Sequence, residues 1–456
     1  MKASDLTWID DFFREITPYI HVRKEDSLLI LIPNQAHQLN PTGLRLLSGL
    51  KDGKTIGELL EATPGDEKTL DEIHYFFCDI RAAVMGCLRE DSGRLGVEEI
   101  DFTPPLNTLP VLSELAVTYR CNLSCRFCYA GDHVSRYPEL DTESLQRILD
   151  IIYHDAQVPS TSFTGGEPTL REDLESLVSH AVTIGMRTNL ITNATLLDED
   201  RVKRLKDAGL SSAQASLEAS TPSLHDRIVG KEGAFERTLR GIDLLRKHGI
   251  KTHTNTTLNA MNAGDATSGF VSFIRSLGMD RFSMNLMIPC GTAIPHLEEL
   301  RLTYSRIPEI IHVIKKRARK EGIRFMWYSP IPYCMLNPIA EGLGNKSCAA
   351  CDGLLSVAPD GSVLPCSSYN EPVGNLLSRP FREIWNGKKA CYFKEKRFVP
   401  EPCRECGLRE ICTGACPLYW KVEGVEELER LQLHDSRNDV TTGDYGNRER
   451  KLSGPV

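Results

Sequence analysis

The sequence predicts an α/β protein built on a parallel sheet, with a small separate domain before it and a cysteine-rich region after it. Three observations carry this reading. Strand-like runs at 113–119, 161–164, 187–192, 212–217, 251–258 and 281–288 alternate with helix-like stretches such as 143–153 and 174–184, the pattern of parallel strands joined by crossover helices. Residues 1–100 instead read as one strand followed by three helices. Beyond residue 345 cysteines accumulate at short, regular spacings.

Composition narrows the function classes. At 456 residues the chain is long enough for two or three domains, and its charged and apolar fractions are those of a soluble globular protein. A net charge of −8 argues against a nucleic-acid or anionic-membrane partner, either of which needs a clustered basic surface. No run of eighteen apolar residues occurs, and the polar start Met1-Lys2-Ala3-Ser4-Asp5 does not read as a signal peptide. Fifteen cysteines is high for a chain of cytoplasmic character. In a reducing compartment such spacings read as metal binding rather than disulfides.

In the first hundred residues, Leu28-Leu29-Ile30-Leu31-Ile32 is an apolar run ended by Pro33-Asn34, a strand and turn. Asn40-Pro41 fits an N-cap and first helical position, with Leu44, Leu47 and Leu50 on one face. Thr55-Ile56-Gly57-Glu58 fits a capping box. A third helix is expected over 67–88, with Ile73, Phe77, Ile80, Val84 and Cys87 at helical spacing, so Cys87, like Cys78, reads as a packing residue. The arrangement resembles a winged-helix unit. Around Val22-Arg23-Lys24, Leu39-Asn40-Pro41-Thr42-Gly43 and Asp52-Gly53-Lys54-Thr55-Ile56 it is similar to the pyrroloquinoline-quinone biosynthesis chaperone family, the RiPP recognition element. That resemblance implies capture of a leader peptide as an added strand. A winged helix used for packing or dimerisation is the plainer alternative. Pro104-Pro105 and Pro110 suggest a linker over 101–110.

The first expected barrel strand runs into Cys121-Asn122-Leu123-Ser124-Cys125-Arg126-Phe127-Cys128. Three thiolates in one tight loop are iron–sulfur ligand chemistry, whereas a zinc knuckle prefers four protein ligands and often histidine, which this loop lacks. The spacing C-x3-C-x2-C resembles that of the radical S-adenosylmethionine (radical SAM) enzymes. The resemblance implies a partial (β/α)6, TIM-like barrel and a [4Fe–4S] cluster on Cys121, Cys125 and Cys128, with one iron left free to chelate SAM. It also implies reductive cleavage of SAM to a 5′-deoxyadenosyl radical. Chemistry in parallel α/β folds gathers at strand C-terminal ends, and the cysteine loop is there.

Thr164-Gly165-Gly166-Glu167-Pro168 ends the second strand. Paired glycines permit close backbone approach to a ligand, and a carboxylate beside them can pair with an ammonium group. The motif resembles the one that holds the methionyl amine of SAM in the family. Further SAM contacts implied by the resemblance are Asn193 after strand three and Ser216 and Glu218 after strand four, toward the ribose and carboxylate. Arg227 would meet the SAM carboxylate, where many relatives carry arginine at the position of Val229, and Phe127 would lie near the adenine. Each of the later strand-end residues also suits ordinary turn chemistry.

After a helix expected over 307–319, Cys351 and Cys366 form C-x9-G-x4-C, and Cys403, Cys406, Cys412 and Cys416 form C-x2-C-x5-C-x3-C. An Asp360-Gly361 hairpin between strands at 354–358 and 363–364 would bring Cys351 and Cys366 together. Paired C-x2-C spacings also suit zinc. In this order after such a barrel they resemble the SPASM domain, which holds one or two auxiliary iron–sulfur clusters. The resemblance assigns one cluster to Cys348 (or Cys334), Cys351, Cys366 and Cys416. It assigns the other to Cys403, Cys406, Cys412 and a further cysteine near the C-terminus. None follows Cys416. A non-cysteine ligand such as His434 or Asp435, an open iron, or Cys391 out of order remain the choices, and a second cluster with a non-cysteine or exchangeable ligand is expected. Residues 436–456 read as disordered.

The expected organisation is thus 1–104 for peptide recognition, 105–305 for the barrel, 306–345 as a bridge, 346–435 for SPASM and 436–456 as a tail. The implied activity is that of a radical SAM maturase of a ribosomally made peptide or protein carrying a leader, with flavodoxin or ferredoxin as reductant. Maturation of a cofactor or small molecule, for instance haem side-chain decarboxylation, is the alternative within enzymes. A non-catalytic iron–sulfur or zinc scaffold is the alternative outside them, although a scaffold has no need of an open iron beside Gly165-Gly166-Glu167.

Overall fold

The structure, a computed structural model, describes residues 2–33, 35–62, 67–85, 108–131 and 133–435. The expectations for Cys87, for most of the 101–110 linker and for the 436–456 tail lie outside these residues, as do the side chains of His434 and Asp435.

Three short antiparallel strands, β1 (Ile20–Arg23), β2 (Leu28–Leu31) and β3 (Gln35–Gln38), form the N-terminal sheet in the order β1-β2-β3. All four residues of β2 are buried, whereas β3 is polar, mostly exposed and at the sheet edge. Before the sheet lies α1 (Trp8–Ile16), which the strand-then-three-helices expectation omitted. Its Ile9, Phe12, Phe13 and Ile16 recur at helical spacing and are buried. After the sheet come α2 (Pro41–Lys51), α3 (Ile56–Glu61) and α4 (Glu67–Val84). Both expected caps are present. The Asn40 side chain accepts from the Gly43 amide at 2.7 Å, and Thr55 and Glu58 form a reciprocal capping box. Leu46, Leu47, Ile56, Ile73 and Phe77 join the α1 residues in one core.

This domain is anchored through its β1–β2 turn. Arg23 is fully buried, chelates Asp26 at 2.9 Å, and donates to the carbonyls of Leu109 (3.1 Å) and Pro110 (2.6 Å). Burial of a guanidinium is tolerated only with such complete pairing. Glu25 pairs with Arg382, and Leu28 and Ile30 pack on Val111. Among the described residues β3 pairs only with β2, which leaves its other edge unpaired.

The main sheet has ten strands in the order β10-β9-β8-β7-β6-β5-β4-β11-β12-β13. The six expected strands are present as β4 (Leu112–Thr118), β5 (Ser160–Gly165), β6 (Arg187–Thr192), β7 (Ser212–Ser216), β8 (Lys251–Leu258) and β9 (Arg281–Leu286), all parallel. Crossover helices include α5 (Thr142–Asp150), α6 (Leu174–Thr183), α7 (Glu199–Asp207), α8 (Pro222–Val229) and α9 (Ala234–Lys247). A seventh parallel strand, β10 (Arg324–Trp327), extends the sheet past the six expected units. It follows a helix (Ile307–Glu321) that buries Ile307, Ile310, Ile311 and Ile314 and stops at Gly322, φ +64°. The barrel therefore reaches into the expected bridging segment.

β11 (Leu354–Val357) and β12 (Ser362–Leu364) form the expected hairpin, and β13 (Gly374–Asn375) pairs with β12. Gly361 has φ +82°, and the Asp360 carboxylate caps the turn through Ser362. β11 also lies parallel to β4, pairing Leu354 with Leu112. The cysteine-rich region is thus continuous with the barrel sheet through the strand that leads to the first cysteine loop. Among the described residues no helix is long and apolar enough to cross a membrane.

Candidate active site and auxiliary cysteine groups

The loop from Tyr119 to Cys128 forms no regular element, so its backbone groups need partners elsewhere. They find them on three sides. From the loop after β5, the Gly166 amide donates to Thr118 O and the Glu167 amide to Arg120 O, both at 2.8 Å. A Cβ on Gly165 would lie 1.9 Å from Thr118 O, and one on Gly166 2.3 Å from Arg120 O. The two glycines thus serve the approach of two stretches of the protein's own backbone. From α8, the carbonyls of Val229 and Ile228 accept from the amides of Ser124 (3.0 Å) and Arg126 (3.1 Å). Gly230 ends α8 at φ +69°, where a Cβ would meet Ser124 O at 2.5 Å. From the turn after β9, Thr292 Oγ1 accepts from the Cys128 amide and donates to Cys125 O, both at 2.9 Å. The Thr292 amide donates to Cys128 O at 2.9 Å. Thr292 and Gly230 were not identified from sequence, because both act through contacts distant along the chain.

Cys121, Cys125 and Cys128 are brought together. Burial, then the Glu167 carboxylate and the Cys128 thiol, push the Cys121 thiol up to about 11, and burial with Cys128, Glu218 and Cys121 pushes Cys125 well above the usual thiol range. Crowded thiols oppose one another's ionisation unless a cationic centre takes them up.

Several candidates face different partners from those expected. Glu167 is fully buried, and its carboxylate accepts from Thr169 Oγ1 (2.6 Å), Thr192 Oγ1 (2.7 Å) and the amides of Thr169 (3.0 Å) and Asn193 (2.7 Å). It braces the β5 and β6 loops through these bonds. Pro168 opens the short turn Pro168–Leu170 that Glu167 caps. The Asn193 amide turns to the cysteine loop rather than outward, lying 3.0 Å from Asn122 Oδ1 and 3.9 Å from Cys121 Sγ. Its Oδ1 is taken by Thr195. Arg227 is largely exposed and pairs with Glu299 at 3.3 Å, as Arg126 of the cysteine loop also does at 3.1 Å. Phe127 packs half-buried with Met287, Ala293 and Leu300. Ser216 ends β7 half-buried.

Glu218 is buried and its carboxylate accepts from the Thr257 amide at 2.8 Å. Burial, only partly offset by that bond, pushes its carboxyl up to about 8. Its own amide donates to His225 Nδ1 at 3.2 Å.

In the C-terminal region the structure sorts eight cysteines into two groups. Cys348, Cys351, Cys366 and Cys416 hold each other's thiols up, burial being the larger cause. The Cys351 amide donates to Pro365 O at 3.0 Å, which closes the expected pair. Cys403, Cys406 and Cys412 form the second group, and Cys334 lies near them, the amide of its neighbour Tyr333 donating to Cys412 Sγ at 3.3 Å. Cys391 instead lies 3.5 Å from Asn386 O. Between Cys412 and Cys416, Thr413, Gly414 and Ala415 all have positive φ (+56°, +68° and +66°). Three successive left-handed residues are costly for Thr and Ala. They reverse the chain between cysteines that belong to different groups.

The donor sets fit iron–sulfur clusters. Each is made of thiols, the ligand chemistry of iron–sulfur clusters.

Residues 115–264 match the radical SAM superfamily, and residues 348–407 match the SPASM iron–sulfur cluster-binding domain. The chain is 30% identical over 319 residues to the PqqA peptide cyclase of Methylocella silvestris, covering 68% of this chain and 83% of that protein. It is 28% identical over 326 residues to the AdoMet-dependent heme synthase of Oleidesulfovibrio alaskensis, covering 65% of this chain and 80% of that one. The fold is similar to the crystal structure of Streptococcus suis SuiB bound to precursor peptide SuiA, with a TM-score of 0.66 and 17% identity over 88% of this chain and 95% of SuiB. The chain belongs to the radical SAM superfamily. It is a radical SAM enzyme with a SPASM domain, and so uses a [4Fe–4S] cluster, SAM and auxiliary iron–sulfur clusters.

Two predictions follow from the geometry. Thr292→Val leaves the Cys128 amide without its side-chain acceptor, at a cost of about 1–3 kcal/mol. The expected result is a lower Tm and faster loss of iron from the first cluster to a chelator. An unchanged rate would contradict the clamp. Glu218 holds its proton better when folded than unfolded, so the stability it lends is present at low pH and is lost as pH rises through about 8. In thermal unfolding without SAM, the parent should lose stability between pH 6 and 8.5 relative to Glu218→Gln. A difference constant with pH would contradict the assignment.

Proposed function

We propose that this enzyme modifies a ribosomally made peptide or protein whose leader segment is presented by the N-terminal domain, residues 1–104. The observation that carries the reading is the free edge strand β3 on a domain fixed to the barrel by Arg23, Asp26 and Glu25. An exposed edge pairs readily with an extended chain, whose own amides and carbonyls complete the ladder. The protein matched in SuiB carries a precursor peptide, and PqqA peptide cyclases are named for a peptide substrate. Both support the reading.

Cys121, Cys125 and Cys128 hold the SAM-binding cluster, whose bound SAM supplies a 5′-deoxyadenosyl radical that removes a hydrogen atom from the substrate. The three-sided clamp keeps the thiols at fixed separations. Asn193 aims an amide at Cys121 sulfur, a contact that tunes a cluster's potential. Glu167 positions Asn193 through its amide. Phe127, with Met287 and Leu300, lines an apolar wall that excludes water. Glu218, buried near Cys125, and Ser216 at the end of β7 would hold SAM, where a cationic group of the ligand would favour the ionised carboxylate. A flavodoxin or ferredoxin supplies the electron.

The match to haem synthases favours a second reading, a tetrapyrrole or other small substrate that needs no leader. Hydrogen exchange separates the two. With a precursor peptide that the enzyme modifies, the amides of Gln35–Gln38 should gain protection, and removal of residues 1–104 should abolish peptide modification while SAM cleavage persists. Full modification by the truncated enzyme would contradict leader presentation.

A further inference from the structure

The second group of SPASM-region cysteines has an unexpected member. Cys334 lies in the segment after β10, fourteen residues before the first cysteine of the other group. Ile331, Tyr333 and Leu336 around it are buried, so the segment is packed and not a loose loop. The Tyr333 amide donates to Cys412 Sγ at 3.3 Å, which fixes the neighbouring residue beside that thiol. The Tyr333 hydroxyl donates to Asn345 Oδ1 at 3.0 Å and accepts from the Lys346 amide at 3.3 Å, tying the segment to the chain that leads to Cys348. Cys334 itself is exposed, as is Cys406, whereas Cys412 is buried. The side chains that act on Cys334 electrostatically are Cys412 and Cys406, and those that act on Cys403 are Cys412, Cys334 and Cys406. Among the described residues, which do not include the side chains of His434 and Asp435, no carboxylate or imidazole is among them. Cys391 is not among them either, and its thiol is directed at Asn386 O.

We infer that Cys334 is the fourth protein ligand of the auxiliary cluster held by Cys403, Cys406 and Cys412. This chain then supplies from before its SPASM domain a thiolate that the family pattern supplies from after it. The inference rests on the SPASM reading of this region and deepens it. Four thiolates leave no iron open, so this cluster has no free position for a substrate sulfur. With two of its cysteines exposed, it lies at the protein surface, a position suited to passing electrons in or out. The first group, with Cys348, Cys351 and Cys416 buried, is the interior one.

The test uses full-length protein in which Cys121, Cys125 and Cys128 are replaced by alanine, reconstituted anaerobically. About eight iron and eight sulfide per chain are expected, as two four-iron clusters. On that background Cys334→Ala should remove about half of both, or convert one cluster to a three-iron form with its own EPR signal, and Cys391→Ala should change neither count. Retention of full iron, sulfide and EPR signals by Cys334→Ala would overturn the inference. Alkylation provides a second readout that needs no substitution. In the loaded protein Cys334, although exposed, should resist iodoacetamide and become reactive after chelator treatment, while Cys391 reacts in both states. Alkylation of Cys334 in fully loaded protein would overturn the assignment of Cys334 alone. Absence of iron from the triple variant, or zinc in its place, would instead remove the SPASM reading beneath it.

Discussion

The stretch from Tyr119 to Cys128 must hold three thiols in place without any helix or strand of its own. Its amides and carbonyls are met by the loop after β5, by the C-terminal carbonyls of α8, and by Thr292 after β9. Each meeting is close enough to dictate residue type. Gly165, Gly166 and Gly230 stand where a Cβ would overlap a backbone oxygen, as does Gly291 against Cys128 O at 2.3 Å. The segments that follow β4, β5, β7 and β9 all reach this one place. A site fixed in this way loses little entropy when it binds cluster and SAM, which is the advantage of preorganisation.

β4 joins this site to the auxiliary one. Its end leads to the cysteine loop, and its edge pairs with β11, whose hairpin closes Cys351 on Cys366. The separation between the first cluster loop and the interior auxiliary group is therefore set by a continuous hydrogen-bonded sheet rather than by a flexible linker. The left-handed run at Thr413, Gly414 and Ala415 performs the complementary task of sending Cys412 and Cys416 to different groups. Trp420 Nε1 donates to Gly414 O at 2.6 Å and holds that reversal in place. Strain of this kind persists only where the surroundings over-determine it.

Local signals in the sequence were dependable and non-local ones were not. The parallel strands, the Asn40 and Thr55 caps and the Asp360-Gly361 hairpin are each dictated by a few adjacent residues, and each is present as read. β3 escaped notice because an exposed edge of Gln, Ala and His carries no apolar alternation. β10 is four residues long, and its strand character comes from pairing with β9. The site residues followed the same division. Cysteine spacing marks where thiols gather, but the partners of Glu167, Asn193 and Arg227 are set by loops far away in sequence. Cys334 was legible as a cysteine, but nothing in its spacing connects it to Cys403, 69 residues later. Only packing of Tyr333 against Cys412 does so.

The central claim is that the loop of Cys121, Cys125 and Cys128 is where SAM is cleaved. The measurement that tests it most directly is production of 5′-deoxyadenosine and methionine from SAM by the reduced, reconstituted enzyme. It should be run beside the variant with all three cysteines replaced by alanine. The account predicts turnover by the parent and none by the variant, although the variant retains its auxiliary iron. Equal turnover by both would contradict it.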